Sequence, residues 1–216
     1  MGDLVGSLLE SVQVKITHAK NSCVGVTSVD QVRDLHGDGV FPGMTYYVNP
    51  GVFQLPRGGG LRLASVGNSK CPVTVLQDFS EKVIGEPLQF LLHGITPGII
   101  FTGTPVTAKF SEMTRKKPAC VSSTELVVFV DKTINKTCVG IGGPQDHPGQ
   151  ETYEGRFHFE QDGLGFRYNL VFCYLASSTN CSSIARYDNG EGGFRLVLDN
   201  QIKPFQLGLL YAKQRP

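Results

Sequence analysis

Asp34 and Asp38 flank His36 in the short segment DLHGD. Imidazoles held near carboxylates commonly perform general acid–base catalysis. A second imidazole, His93, lies in a stretch containing glycine and proline, a composition that predicts a loop. The chain contains no GxSxG nucleophile elbow, P-loop, GxGxxG or HExxH motif. We therefore favour a protein that is not an enzyme and has no catalytic residues; an enzyme would use His36 or His93, with Asp34 and Asp38.

Cysteine is the second residue type whose chemistry the sequence brings into question, because it can form disulfides or bind metals. The chain contains six cysteines, an even number that fits disulfide bonds, and six cysteines allow fifteen pairings. No two of them have the CxxC spacing of common zinc sites, so the sequence predicts no metal site and no cofactor. The cysteines are Cys23, Cys71, Cys120, Cys138, Cys173 and Cys181.

Asn135 and Asn180 begin sequons for N-glycosylation, which favours a secreted glycoprotein. Asp3 and Glu10 interrupt the apolar residues of the N-terminus, so no intact signal peptide is predicted. Two alternatives follow: a signal peptide has been removed and Met1 is an expression start, or the chain is cytosolic. The sequons and the even cysteine count favour the first alternative and a secreted or vacuolar protein.

Composition excludes several classes of partner. The formal net charge is +1 and only 18% of the residues are charged, so neither nucleic acid nor an anionic membrane is an expected partner. No apolar run approaches the roughly 20 residues that a membrane helix needs. The one basic run, Arg115-Lys116-Lys117, precedes Pro118 and is predicted to be a solvated turn; a second protease contact is the alternative.

Short β-branched and aromatic runs alternate with turn residues along most of the chain, which predicts an antiparallel barrel or sandwich of about twelve strands. Segments resembling one another near residues 30–80, 85–140 and 150–212 favour three lobes. Residues 1–26 contain little turn chemistry and are predicted to be an N-terminal extension to a domain formed by residues 27–216. The predicted strands cover residues 45–49, 61–65, 72–77, 88–92, 99–102, 106–110, 126–130, 155–160, 166–175, 194–198 and 205–211.

The segment VRDLHGDGVFPGMTYYV, residues 32–48, resembles the opening signature of the plant Kunitz (soybean trypsin inhibitor) family, which includes a miraculin-like branch. Further resemblances follow in the family's order as far as about residue 213. They include GGGL at residues 58–61, CPVTVLQ at residues 71–77 and GEPLQF at residues 85–90. The resemblance implies a β-trefoil and a protease inhibitor.

The resemblance also implies a pairing of the cysteines. The family's first bridge would join Cys71 to Cys120, and its second, which closes a short loop, would join Cys173 to Cys181. Cys23 and Cys138 lie outside that pattern. They form either a third bridge to the N-terminal extension or two buried free thiols.

Family inhibitors present an exposed loop that a protease binds as it binds a substrate, and the resemblance implies that this loop lies near residues 92–99. Family inhibitors of trypsin carry Arg or Lys there, whereas this loop has neither, so trypsin is not the expected target. Ile95 or Leu92 would fill an apolar pocket of a chymotrypsin-like or elastase-like enzyme. The loop consists of Leu92, His93, Gly94, Ile95, Thr96, Pro97, Gly98 and Ile99.

A second departure from the family concerns the support of this loop. Many family inhibitors brace it with an asparagine from the first hairpin, and the equivalent residue here is Pro42, which has no side-chain donor. Three functions therefore stay open: an inhibitor of a chymotrypsin-like, cysteine or aspartic protease; a non-inhibitory protein for storage, taste or binding a small-molecule ligand; and a recruited enzyme. A monomer is expected in each case.

Overall fold

The computed structural model describes residues 29–50, 58–67, 69–94, 98–113, 116–163, 165–175 and 180–213. The predicted extension, residues 1–26, lies outside these ranges. Within them the protein is all-β apart from one turn of 3₁₀ helix, Pro144–Asp146, and no described helix has the length and apolarity to cross a bilayer. The strands are β1 (Thr45–Pro50), β2 (Leu61–Ala64), β3 (Thr74–Asp78), β4 (Leu88–Leu92), β5 (Val106–Phe110), β6 (Leu126–Asp131), β7 (Lys136–Ile141), β8 (Thr152–Tyr153), β9 (Gly155–Gln161), β10 (Tyr168–Tyr174), β11 (Cys181–Asp188), β12 (Gly193–Leu198) and β13 (Gln206–Tyr211).

Six strands close into a barrel. The antiparallel pairs run β13–β1, β1–β4, β4–β5, β5–β9 and β9–β10, and β10 pairs in turn with β13. Because the ring is complete, none of the six strands leaves an unpaired edge along its whole length.

Three hairpins cap one end of the barrel. They are β2–β3, β6–β7 and β11–β12, and β3, β7 and β12 also pair with one another. Each hairpin lies between two barrel strands of its own lobe, so the lobes are β1–β4, β5–β9 and β10–β13. This threefold arrangement is a β-trefoil, as predicted.

The predicted lobe boundaries were wrong, because β4 closes the first lobe instead of opening the second. Residues 99–102 were also wrongly predicted to be a strand. They make only an isolated bridge, Gln31 to Phe101. β7, β8 and β11 were not predicted. β7 contains Gly140, whose absent side chain leaves room for the Val73 carbonyl. β11 carries two serines and three charged or phenolic side chains, and its buried and exposed residues do not alternate.

Aromatic side chains fill the barrel. Phe90 and Phe159 make an edge-to-face contact with ring centroids 4.9 Å apart, and Phe159 makes another with Tyr168 at 5.8 Å. All three side chains are almost fully buried. The Tyr168 hydroxyl accepts a hydrogen bond of 2.7 Å from the Arg33 backbone, which ties the segment before β1 to the barrel.

A buried charge cluster lies where the hairpins meet. Arg195, only 1% exposed, lies 3.0 Å from an Asp131 oxygen and donates from Nε and Nη2 to Glu191. Burial raises the pKa of the neighbouring Cys138 thiol to about 12, so this thiol stays protonated and unreactive at neutral pH.

The structure contains two disulfides, with the pairing that the family resemblance implied. Cys71 bonds to Cys120 across 49 positions, and Cys173 bonds to Cys181 across 8 positions. Cys138 is a free, buried thiol, so the alternative of a third bridge from Cys138 is wrong; Cys23 lies outside the described residues.

His147 is buried beneath the cap and its ring stacks on Phe129 at 4.1 Å between centroids. Nε2 donates to the Ile141 carbonyl at 3.0 Å. Burial lowers the pKa of His147 below its usual 6.5, although the hydrogen bond to Ile141 partly opposes this shift. The folded protein therefore holds this imidazole neutral where an unfolded chain would protonate it.

We predict that removing the Cys71–Cys120 bridge costs more stability than removing Cys173–Cys181. The chain-entropy model gives about 4 kcal/mol for the long loop and about 2.5 kcal/mol for the short one. Urea unfolding of the two double Cys→Ser variants measures both values. Equal losses, or a larger loss from the short loop, would contradict the entropic assignment.

We predict that His147 makes the free energy of unfolding fall as pH drops below 6.5. Below pH 6.5 the unfolded chain binds a proton at this imidazole that the folded protein does not bind. The loss of stability is complete once the pH lies below the lowered pKa of the folded state. The slope from this one group is at most about 1.4 kcal/mol per pH unit. Urea titrations between pH 7.5 and pH 4.5 should show the slope reduced in His147→Gln and retained in His36→Gln, which removes an exposed imidazole.

Candidate functional site

The candidate protease-binding loop leaves the barrel after β4 and returns to it at β5. Its described residues His93, Gly94 and Gly98 are exposed to solvent, while Ile95, Thr96 and Pro97 lie outside the described residues. The described flanks of the loop therefore project from the rim of the barrel and are not packed inside it.

Gly94 and Gly98 have positive φ angles of 81° and 73°, a region that glycine adopts at little cost and other residues avoid. No atom lies close to the position where a Cβ would stand on either residue. Each of the two glycines therefore allows a turn at one end of the loop.

The returning side of the loop is held by backbone hydrogen bonds in a buried cluster of three aliphatic residues. Ile100 donates to the Val40 carbonyl at 3.1 Å, and its own carbonyl accepts from Val32 at 2.8 Å. Val40 also donates to Val32 at 2.8 Å, and none of the three side chains is exposed. This cluster fixes the chain one residue after the candidate loop.

The next residues extend this anchorage. Thr102 donates to the Asp30 carbonyl at 2.8 Å, and its hydroxyl accepts from the Asp30 backbone at 3.0 Å. Gly103 donates to the Phe159 carbonyl of β9 at 2.9 Å. The His158 ring donates from Nδ1 to the Gly103 carbonyl at 2.8 Å. The returning stem is thus tied both to the segment before β1 and to the barrel.

The outgoing side of the loop is held by strand pairing. Leu92, the last residue of β4, pairs with Val106 and packs, half-buried, against the core. Its role in filling a protease pocket stays a prediction. The His93 Nε2 and the Thr107 hydroxyl are joined by a hydrogen bond of 2.6 Å.

Pro42 lies in a turn that contacts this outgoing strand. The Met44 backbone donates to the Phe41 carbonyl at 3.3 Å, and Gly43 donates to the Phe90 carbonyl of β4 at 2.8 Å. Pro at the second turn position followed by Gly with φ of 76° is typical of a type II turn. The turn reaches the strand that feeds the loop, yet Pro42 supplies no donor to brace it.

The basic run beyond β5 is partly committed to the fold. Lys117 donates to the Val121 carbonyl, Lys116 is exposed, and Arg115 lies outside the described residues. Lys117 is therefore not a freely solvated side chain, and the choice between a solvated turn and a second protease contact stays a prediction.

The structure does not bring the candidate catalytic residues into one site. The two backbone N–H groups of His36 and Asp38 donate to Asp34 Oδ1 at 2.9 and 3.0 Å, and within the described ranges the His36 ring has no hydrogen-bond partner. His93 bonds to Thr107 and lines none of the cavity that holds His36. Nothing in this geometry pairs an imidazole with a carboxylate as a general base requires.

Asp34, His36 and Asp38 nevertheless share a wall of one cavity, called here the Asp34 cavity, with a volume of about 450 Å³. The opposite walls come from the turn before β1 and from the end of β13 and were not predicted as part of any site. Sequence reasoning had no signal for this, because residues more than 160 positions apart meet only once β13 pairs with β1. The full lining is Asp34, His36, Asp38, Gly39, Phe41, Met44, Tyr46, Tyr211 and Lys213.

Both predicted glycosylation residues are exposed. Asn135 lies in the turn between β6 and β7, and Asn180 immediately precedes the disulfide-bonded Cys181. Their exposure is compatible with the predicted modification, which stays a prediction.

Comparison with known proteins places these features in a family. The legume Kunitz family model, described as "Trypsin and protease inhibitor", matches residues 32–208. The "Subtilisin inhibitor CLSI-II" of Canavalia lineata is 49% identical over 185 residues, which are 85% of this chain and 93% of that protein. The crystal structure of a Kunitz-type trypsin inhibitor from Cicer arietinum superimposes with a TM-score of 0.79 at 46% identity, covering 86% of this chain and all of that one.

A more distant structure shows a relative with its protease. Soybean trypsin inhibitor, in a complex with porcine pancreatic trypsin, is 28% identical, and the match has a TM-score of 0.71 and covers 85% of this chain and all of that one. The three-lobed barrel, the two disulfides and the family match over residues 32–208 lead to one conclusion: the chain belongs to the Kunitz-type protease inhibitor family of legumes.

Proposed function

We propose that this protein inhibits a serine protease with an apolar primary specificity pocket, of the subtilisin class, and that Ile95 enters that pocket. The observation that carries the proposal is that backbone hydrogen bonds anchor both stems of a loop that contains no cation. The name of the Canavalia lineata relative, a subtilisin inhibitor, supports the choice of protease class.

Anchored stems are what an inhibitor of this kind needs. A protease that binds a flexible segment must order it, and each immobilised side chain costs about 0.5–1.5 kcal/mol. Here Ile100 and Thr102 on one side and Leu92 on the other are already fixed before a protease arrives. These contacts leave fewer residues to be ordered when the protease binds.

The charge of the loop argues against trypsin. A trypsin-like pocket carries a carboxylate at its base and requires Arg or Lys from its partner. Residues 91–100 contain neither, and burying that carboxylate against isoleucine would leave it without a partner. The apolar side chains of the loop instead suit a pocket that gains from hydrophobic burial.

The remaining alternatives have less support. A recruited enzyme would need an activated imidazole, and within the described residues neither His36 nor His93 is hydrogen-bonded to a carboxylate. A storage protein without a protease target would leave every protease in a panel uninhibited.

We also propose that the protein is secreted or vacuolar. Its two disulfides need an oxidising compartment to form, and its two sequons carry exposed asparagines that a glycosyltransferase could reach.

We predict sub-micromolar inhibition of subtilisin and no inhibition of trypsin at the same concentration. Ile95→Arg should reverse this preference, with a gain in trypsin affinity of at least about 1.4 kcal/mol, or tenfold, because the new cation meets the acidic pocket. Steady-state inhibition of subtilisin, chymotrypsin, elastase, papain, pepsin and trypsin measures both effects.

The matched control is Ile84→Arg, which places the same cation on a side chain that is 56% exposed but lies outside the loop. It should change neither inhibition constant. Failure of the wild type against every protease in the panel, or equal effects of the two arginine substitutions on trypsin, would reject the proposal.

We further predict that Pro42→Asn tightens inhibition of the target protease. The asparagine adds a side-chain donor to a turn that already contacts β4, and one net hydrogen bond contributes about 0.5–1.5 kcal/mol. Pro42→Ala is the control, since it relaxes the backbone equally without adding a donor. Tightening by both variants, or by neither, would show that side-chain bracing at this position has no effect.

A further inference from the structure

The Asp34 cavity is large enough to bind a small molecule. Its volume of about 450 Å³ falls within the range of about 300–1,000 Å³ that ligand pockets occupy. The cavity lies between the segment before β1 and the end of β13, and no residue of β4, β5 or the described part of the protease-binding loop lines it. A ligand bound here therefore needs no contact with that loop.

Asp34 supplies an unusual acceptor to the cavity wall. The residue is only 2% exposed, and its Oδ1 accepts the backbone N–H groups of His36 and Asp38. Its second oxygen, Oδ2, accepts no hydrogen bond from any described residue. Among the described residues, the fully buried side-chain atoms without a partner do not include this oxygen, so it is open to the cavity that Asp34 lines. A carboxylate oxygen at a cavity wall can accept a charge-assisted hydrogen bond from a bound cation.

The rest of the wall is largely aromatic and apolar. Phe41 and Met44 are exposed hydrophobic residues at 46% and 40%, although both line a concave surface. Tyr46 and Tyr211 present rings whose centroids lie 5.7 Å apart. Aromatic faces attract organic cations and also bury an apolar body, so these side chains suit a ligand with both parts.

The other charges of the cavity favour a cation over an anion. Asp38 adds a second carboxylate, and Lys213 contributes one ammonium group, so carboxylates outnumber cationic groups two to one when His36 is neutral. Neither Asp38 nor Lys213 forms an ion pair with a described side chain. An anionic ligand would meet two carboxylates, whereas an ammonium group would donate to Asp34 and, among the described residues that line the cavity, would be repelled by Lys213 alone.

We infer that the Asp34 cavity binds a small arylalkylammonium compound, with the ammonium group donating to Asp34 and the aromatic ring packed against Phe41, Met44 and the two tyrosines. This binding site is separate from the protease-binding loop. Its occupation does not depend on whether the protein inhibits a protease.

Isothermal titration calorimetry of the full chain with 2-phenylethylamine at pH 7.5 tests the inference directly, since no protease is present. The neutral analogue 2-phenylethanol has the same aromatic body without the cation and should bind at least about tenfold more weakly, because a hydrogen bond to a charged group is worth about 1.5–3 kcal/mol. Equal affinity for the amine and the alcohol, or no binding of the amine by the wild type, overturns the inference.

The variants separate the charge of Asp34 from its structural role. Asp34→Asn keeps an oxygen to accept the two backbone N–H groups but removes the charge, and it should weaken amine binding about tenfold. Glu154→Gln, which removes an exposed carboxylate outside the cavity, is the matched control and should leave binding unchanged. Unchanged affinity in a folded Asp34→Asn variant overturns the inference.

A second pair of variants keeps the test decisive if Asp34→Asn does not fold. Asp38→Asn and Lys213→Gln alter exposed residues without described side-chain partners and have opposite effects on the charge of the cavity. The first should weaken amine binding and the second should strengthen it. Shifts in the same direction, or no shift in either variant, contradict a cation site at this cavity.

Discussion

Closure of the barrel by β13 is the constraint on which the other features depend. This strand pairs with β1 on one side and with β10 on the other, so it joins the first lobe to the last. Without it, two strands would keep open edges and the aromatic contacts around Phe159 would lie at a boundary instead of a centre. Both the stems of the protease-binding loop and the Asp34 cavity rest on strands of this ring.

The sequence was sufficient to predict most of the strands because short β-branched and aromatic runs lie between turn residues. β3, β10 and β12 are buried along most of their length, whereas other strands alternate. In β2 and β5 buried and half-buried residues follow each other strictly, which is the pattern expected of a strand with one face on the core. Such a pattern does not predict burial where a side chain is buried by contacts with other strands or hairpins. Arg195 is buried in β12 because Asp131 and Glu191, from two different hairpins, neutralise it, and no local pattern predicts that encounter.

Some features of the protease-binding loop depend on nearby residues, and others depend on residues far away in the sequence. Its position follows from the family resemblance, and its lack of a cation follows from the composition of residues 91–100. The anchorage of its returning stem could not be predicted from these residues, because Val32 and Val40 reach Ile100 from a segment some 60 residues earlier. The same apolar residues that predicted a strand at 99–102 are buried there by this packing, without forming a ladder.

The segment from Val32 to Tyr46 supports both the protease-binding loop and the Asp34 cavity, which limits the substitutions that it can accept. Its backbone, through Val40 and Gly43, holds the stems of the loop, while its side chains, among them Asp34 and Phe41, form the wall of the cavity. Because the loop is held by main-chain groups, substitutions of the cavity side chains that preserve the backbone leave the loop in place. None of the described residues of the loop lines the cavity, so target preference and ligand binding can vary independently on one barrel.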